Sequence, residues 1–273
     1  RMVELREMAN FVGDASKFIS DAQAGKWGDL SAAILDCGAH PRRCVWIDIF
    51  AIRQWPSDKP DLDFASTIEH CSSFMVVCSY LKEVDEMYLE DVLYKQTSLF
   101  DLEKSIKRQI CFARVWCLVE AHKACTIAGM PYIMKVGQHV LREDGSLEFK
   151  PAPENMLAVL YYSVDVEKAE ATVESDRQRI IDGVAAGVGV DKLNATIRGA
   201  IIAANNIKNS TMQCAACGDA DAIKTVLADP KSIFEVSTGG FEKLLKALLD
   251  SDIITDINMK NDYGGWTALM AAS

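Results

Sequence analysis

Ala113-Arg114-Val115-Trp116-Cys117-Leu118-Val119-Glu120-Ala121-His122-Lys123-Ala124 sets the frame for the rest of the chain. Val115, Leu118, Val119 and His122 fall at i, i+3, i+4 and i+7, the spacing of one helix face. Trp116 and Glu120 stand one turn apart on a neighbouring face, so the spacing places an indole beside a carboxylate. Such a pair either lines a ligand pocket or packs in the ordinary way, and the surrounding chain has to decide which.

Working upstream, Ser73-Phe74-Met75-Val76-Val77-Cys78-Ser79 and Cys44-Val45-Trp46-Ile47-Asp48-Ile49-Phe50 are strand-sized apolar runs. Apolar residues on both faces are what a central parallel strand requires. Asp48 lies near the end of its strand, where open α/β sheets place their sites. Ser16 to Ser20 reads as a first short strand, and Tyr132-Ile133-Met134 as a fourth. Helices are expected between them: one with Trp27, Leu30, Ile34 and Leu35 as its buried stripe, another over 62–71, and the Trp116 helix itself. Residues 1–15 add a lead-in helix, and the charged stretch 80–112 a partly helical excursion. Strand–helix alternation of this kind predicts a parallel sheet with helices on both faces.

Downstream, residues 137–155 are turn-rich (Glu143-Asp144-Gly145-Ser146, then Pro151 and Pro153). From 156 to 208 the chain is helical and alanine-rich, with Ser175 as N-cap and Gly187 and Gly189 breaking the run before a helix over about 191–205. A packing or connecting role fits that stretch. The last segment pairs Met212 to Leu227 with Asn261 to Ala272, two Gly-turn and small-residue helix units that predict a stacked repeat. The chain ends inside the second unit and begins at an Arg with no visible signal peptide, so an excerpt of a longer protein is expected.

Composition narrows the function classes. With 273 residues, about two domains are favoured. A net charge of −10 without a long basic run argues against nucleic acid and anionic membrane as partners. Nine cysteines scattered through apolar segments suit buried thiols in a reducing, cytoplasmic setting. Cys214-x-x-Cys217 has no second Cys or His pair nearby, and His40, His70, His122 and His139 lack metal spacing, so no metal site is expected.

Two resemblances follow from these motifs. Ala215-Ala216-Cys217-Gly218-Asp219 and Gly265-Trp266-Thr267-Ala268-Leu269 resemble ankyrin repeats, which implies a protein-binding module over 209–273. Phe18-Ile19-Ser20, Trp46-Ile47-Asp48, Val76-Val77-Cys78-Ser79 and Trp116-Cys117-Leu118-Val119-Glu120 resemble the Toll/interleukin-1 receptor (TIR) fold, a flavodoxin-like parallel sheet. The expected layout is a TIR-like domain over 1–155, a helical connector over 156–208 and the opening of an ankyrin array. In NAD-cleaving members of that family the glutamate of the Trp-Cys motif is catalytic, and the resemblance carries that role to Glu120 alone.

The function implied is a signalling scaffold in which the TIR-like domain self-associates and the ankyrin array recruits a protein. The alternative is an NAD hydrolase that takes NAD as substrate, needs no cofactor and uses the repeats for targeting. A carboxylate beside the nicotinamide–ribose bond would stabilise an oxocarbenium-like centre. Trp116 would stack on a flat ring. Ser20, Asp21, Asp48, Arg53 and Trp55 complete the candidate nucleotide cleft. Capping its loop is the stronger reading of Asp48, and Arg53 and Trp55 serve equally as contacts to a neighbouring domain.

Overall fold

The structure, a computed structural model, describes residues 15–22, 24–37, 44–47 and 64–206. Its centre is one five-stranded sheet in the order β2-β1-β3-β4-β5, with β1 at Lys17–Asp21, β2 at Val45–Ile47, β3 at Ser73–Ser79, β4 at Tyr132–Leu141 and β5 at Leu147–Pro151. The first four strands are parallel and β5 is antiparallel to β4. The sheet is therefore mixed, which corrects the expectation of a purely parallel one. Asp144-Gly145 makes the hairpin between β4 and β5: Gly145 takes a positive φ of 81°, and Asp144 Oδ1 accepts from the backbone N–H and hydroxyl of Ser146.

Each strand is apolar for a reason visible in the layers. All seven residues of β3 are buried, as its place between β1 and β4 demands. Trp46, Phe18, Phe74 and Tyr132 are register partners on successive strands. Their rings form a row across the sheet with centroids 4.2, 5.5 and 5.5 Å apart.

Helix α1 (Trp27–Asp36) covers one face, packing on β3, β4 and β5. Its buried residues are Asp29, Leu30, Ala32 and Ala33, while Trp27 is 56% and Leu35 58% exposed. Of the predicted stripe only Leu30 is buried. The helix approaches the sheet through Leu30 and two small residues, Ala32 and Ala33, while Trp27 and Leu35 face outward. Gly28 permits the closest approach, lying against the His139 ring. The ring Nδ1–H and the backbone N–H of His139 both donate to Asp29 Oδ1, at 2.6 and 2.8 Å. Because a carboxylate only accepts, Nδ1 carries the proton.

On the other face α2 (Phe64–His70) packs on the helix that lies against β1 and β3, Val115–Cys125, here α6; the excursion between them forms α3 (Lys82–Asp85), α4 (Leu89–Leu93) and α5 (Lys104–Lys107). After the sheet come α7 (Glu154–Ser163), α8 (Glu174–Ala186) and α9 (Val190–Asn206). Val173, not Ser175, occupies the N-cap of α8. Leu193, Ile197, Ile201 and Ala204 recur along one face of α9 and join the same buried cluster as Phe74, Val76, Leu118 and Ala121. Residues 154–204 thus pack into the core that the sheet and α6 build. The lead-in helix, Asp48, Arg53, Trp55 and the ankyrin-like segment lie outside the described residues.

Candidate functional site

In the strand order β2-β1-β3 the chain reverses direction of travel across the sheet between β1 and β3, and open α/β sheets bind ligands at the carboxyl end of such a switch. Ser20 and Asp21 are the last two residues of β1. Side chains alternate across the sheet, so Phe18 and Ser20 share the face that α6 covers.

Helix α6 starts after Arg114, whose extended backbone (φ −108°, ψ 122°) turns the chain in. It packs against β1, β3, α2 and α9, and is buried over more of its circumference than its four-residue apolar stripe predicts. Val115 and Leu118 are buried and Val119 and His122 half-buried; Cys117, Glu120, Ala121 and Ala124 are buried as well. Glu120 is only 7% exposed. The buried Ser20 hydroxyl donates to Glu120 Oε2 at 2.6 Å, a short bond of the kind a carboxylate accepts. One turn earlier, the Cys117 thiol donates to the Asp21 carbonyl oxygen at 3.4 Å. Burial first, then the Glu120 charge, pushes the Cys117 thiol well above its ordinary pKa, keeping it a protonated donor. These two bonds tie the first half of α6 to the carboxyl end of β1.

The basic neighbours of Glu120 in sequence are engaged elsewhere. Arg114 Nη2 donates to Thr172 Oγ1 at 2.7 Å, and Lys123 Nζ to Glu69 Oε1 at 2.5 Å. Glu120 is thus not exposed on a flat surface.

Trp116 is half-buried, and its ring contacts are with residues the sequence did not single out. Phe64, opening α2, meets it edgewise with centroids 5.1 Å apart and planes at 68°. The guanidinium carbon of Arg179, from α8, stands 5.6 Å from the indole centroid. Phe64 in turn meets Trp46 at 6.0 Å, so the sheet's aromatic row continues to the rim of α6.

Of the predicted site residues, the structure brings Ser20 and Glu120 into direct contact and Asp21 against Cys117; Asp48, Arg53 and Trp55 lie outside the described residues. Asp29–His139 escaped notice because a lone Asp in a helix and a lone His in a turn-rich stretch share no spacing. Among the described residues no group of three His, Cys, Asp or Glu side chains is placed to hold a metal ion, and no helix is long and apolar enough to cross a membrane. His70 Nδ1 bonds the Ser66 carbonyl at 2.7 Å, and burial, then Lys192, lowers the pKa of the half-buried His122. No protein-family model, curated protein or solved structure matches the chain.

Proposed function

We propose that the α/β unit is a TIR-like domain whose Glu120 acts on the nicotinamide–ribose bond of NAD. The observation that carries this reading is the Ser20–Glu120 hydrogen bond, which holds a buried carboxylate at the carboxyl end of β1, beside the switch point of the sheet. A carboxylate in a water-poor setting is well suited to stabilise the positive charge that develops on the ribose as nicotinamide leaves. Ser20 orients it, and the Trp116 indole one turn away offers a platform for the flat ring. In the whole chain, the domain self-associates to generate the signal, and the ankyrin-like segment 209–273 captures the protein partner that brings it to its target.

Nicotinamide release from NAD by the full chain tests this, measured over a range of protein concentrations beside Glu120→Ala and Ser20→Ala. Release that rises steeply with concentration, vanishes in Glu120→Ala and falls in Ser20→Ala supports it. No release from folded, self-associated protein overturns the enzymatic reading and leaves a binding scaffold. A second arm uses the chain without residues 209–273: loss of partner capture from a folded α/β unit is expected, and persistent capture overturns the assigned division of labour.

A further inference from the structure

The indole of Trp116 is covered by a side chain that is held loosely. Arg179 is 62% exposed, yet its guanidinium lies over the ring. Neither the backbone of α8 nor a buried bond requires it to be there. The helix is anchored instead by buried Ile180 and Val184 and by Arg177, which donates to the carbonyl oxygens of Ala169 and Glu167. Arg179 can leave the indole by rotating its own side chain while α8 stays in place. In this same position Arg179 Nη2 stands 3.4 Å from Asp176 Oδ1, one turn earlier, an exposed pair that adds little hold.

A guanidinium is a flat, delocalised cation, and it stacks on an aromatic face for the same electrostatic reason as an alkylated pyridinium ring. We propose that Arg179 is an internal plug: it occupies the Trp116 face in the free protein and yields it to a planar cationic ring. The identity of that ring as the oxidised nicotinamide of a dinucleotide rests on the function proposed above. The reduced dihydronicotinamide carries no charge, so the same face discriminates against it. Site occupancy is thereby coupled to the position of one surface side chain on α8.

The size of the effect follows from the contact. An exposed cation–π contact of ordinary strength closes the face about 2- to 5-fold over open, which weakens a competing ligand about 3- to 6-fold. The test is a titration of the full chain with 1-methylnicotinamide, a planar N-alkylpyridinium, read by quenching of tryptophan fluorescence. Arg179→Ala is expected to bind this probe about 3- to 6-fold more tightly than wild type, and Trp116→Leu in the Arg179→Ala background to abolish the added quenching. Unchanged or weaker binding in Arg179→Ala, or quenching that survives Trp116→Leu, overturns the plug. Nicotinamide release measured on the same proteins separates the two claims. Tighter probe binding without any NAD cleavage keeps the plug and removes the enzyme; Glu120-dependent cleavage with unaltered probe binding removes the plug alone.

Discussion

Replacing Gly28 by Ala probes the contact between α1 and the sheet. A Cβ on residue 28 would stand 2.7 Å from Cε1 and Nδ1 and 2.8 Å from Nε2 of His139, closer than real Cβ contacts allow. The imidazole must move, and the bond it gives up is the 2.6 Å Nδ1–H donation to Asp29. Asp29 is fully buried, and its Oδ2 has no hydrogen-bond partner among the described residues, so the loss falls on a carboxyl group already short of donors. A hydrogen bond to a charged group contributes about 1.5–3 kcal/mol. Against it stands the helix propensity of Ala, worth up to about 1 kcal/mol over Gly and less in a first turn. A net loss of about 1–2 kcal/mol is expected, read as a lower urea midpoint at unchanged m-value. The decisive control is the same substitution in a His139→Ala background. With the ring gone there is nothing to strike, and Gly28→Ala becomes neutral or stabilising. Equal destabilisation in both backgrounds would refute the reasoning, since the cost would then lie in the backbone of α1.

Other perturbations bear on different layers. Burial raises Cys71 from 9.0 to about 11 and Cys125 from 9.0 to about 12, so the folded state keeps protons that the unfolded chain loses above about pH 9. Stability should therefore fall as pH rises from 9 towards 12, and Cys125→Ala should flatten the slope of urea-derived stability against pH in that window. His122 works in the other direction: its lowered pKa means the unfolded chain takes up a proton first, so its contribution is present above pH 6.5 and lost as pH falls below it. Phe18→Ala empties the middle of the aromatic row and should cost about 3–5 kcal/mol by urea unfolding, with loss of near-UV ellipticity from the stacked rings. Ile197→Ala, on α9, should cost about 2–5 kcal/mol and lower the unfolding midpoint of the sheet and α9 together; a separate transition for the two would show that α9 does not share the sheet's core.

The elements that were legible in the sequence are those whose burial is nearly complete. Ser73–Ser79 is apolar along its length because both faces are covered, and its limits are those the sequence predicts. Helix α6, Val115–Cys125, was legible by period. The antiparallel β5 was missed because only Phe149 of its five residues is buried, leaving little alternation to read; the Asp144-Gly145 pair was the available signal. The stripe of α1 was misassigned by ranking Trp27 and Leu35 above Ala32 and Ala33, although a helix lying close on a sheet needs small residues at the contact. In the site, sequence spacing reached as far as one helix does. The pairing of Ser20 with Glu120 follows once β1 and α6 are packed together, whereas Phe64 and Arg179 arrive at Trp116 from separate helices with no motif to announce them.

The aromatic row has a consequence for how this molecule tolerates change. In β1, Phe18 belongs to that row while Ser20, two residues on, holds Glu120. In β3, Phe74 is in the row, and the strand runs five residues further before ending at Ser79. Much of the cohesion therefore gathers towards the amino ends of the strands and the polar chemistry at the carboxyl end of β1. Substitutions that retool the latter need not draw on the former. A lineage can vary the residues of this edge while leaving the ballast that keeps the sheet folded untouched.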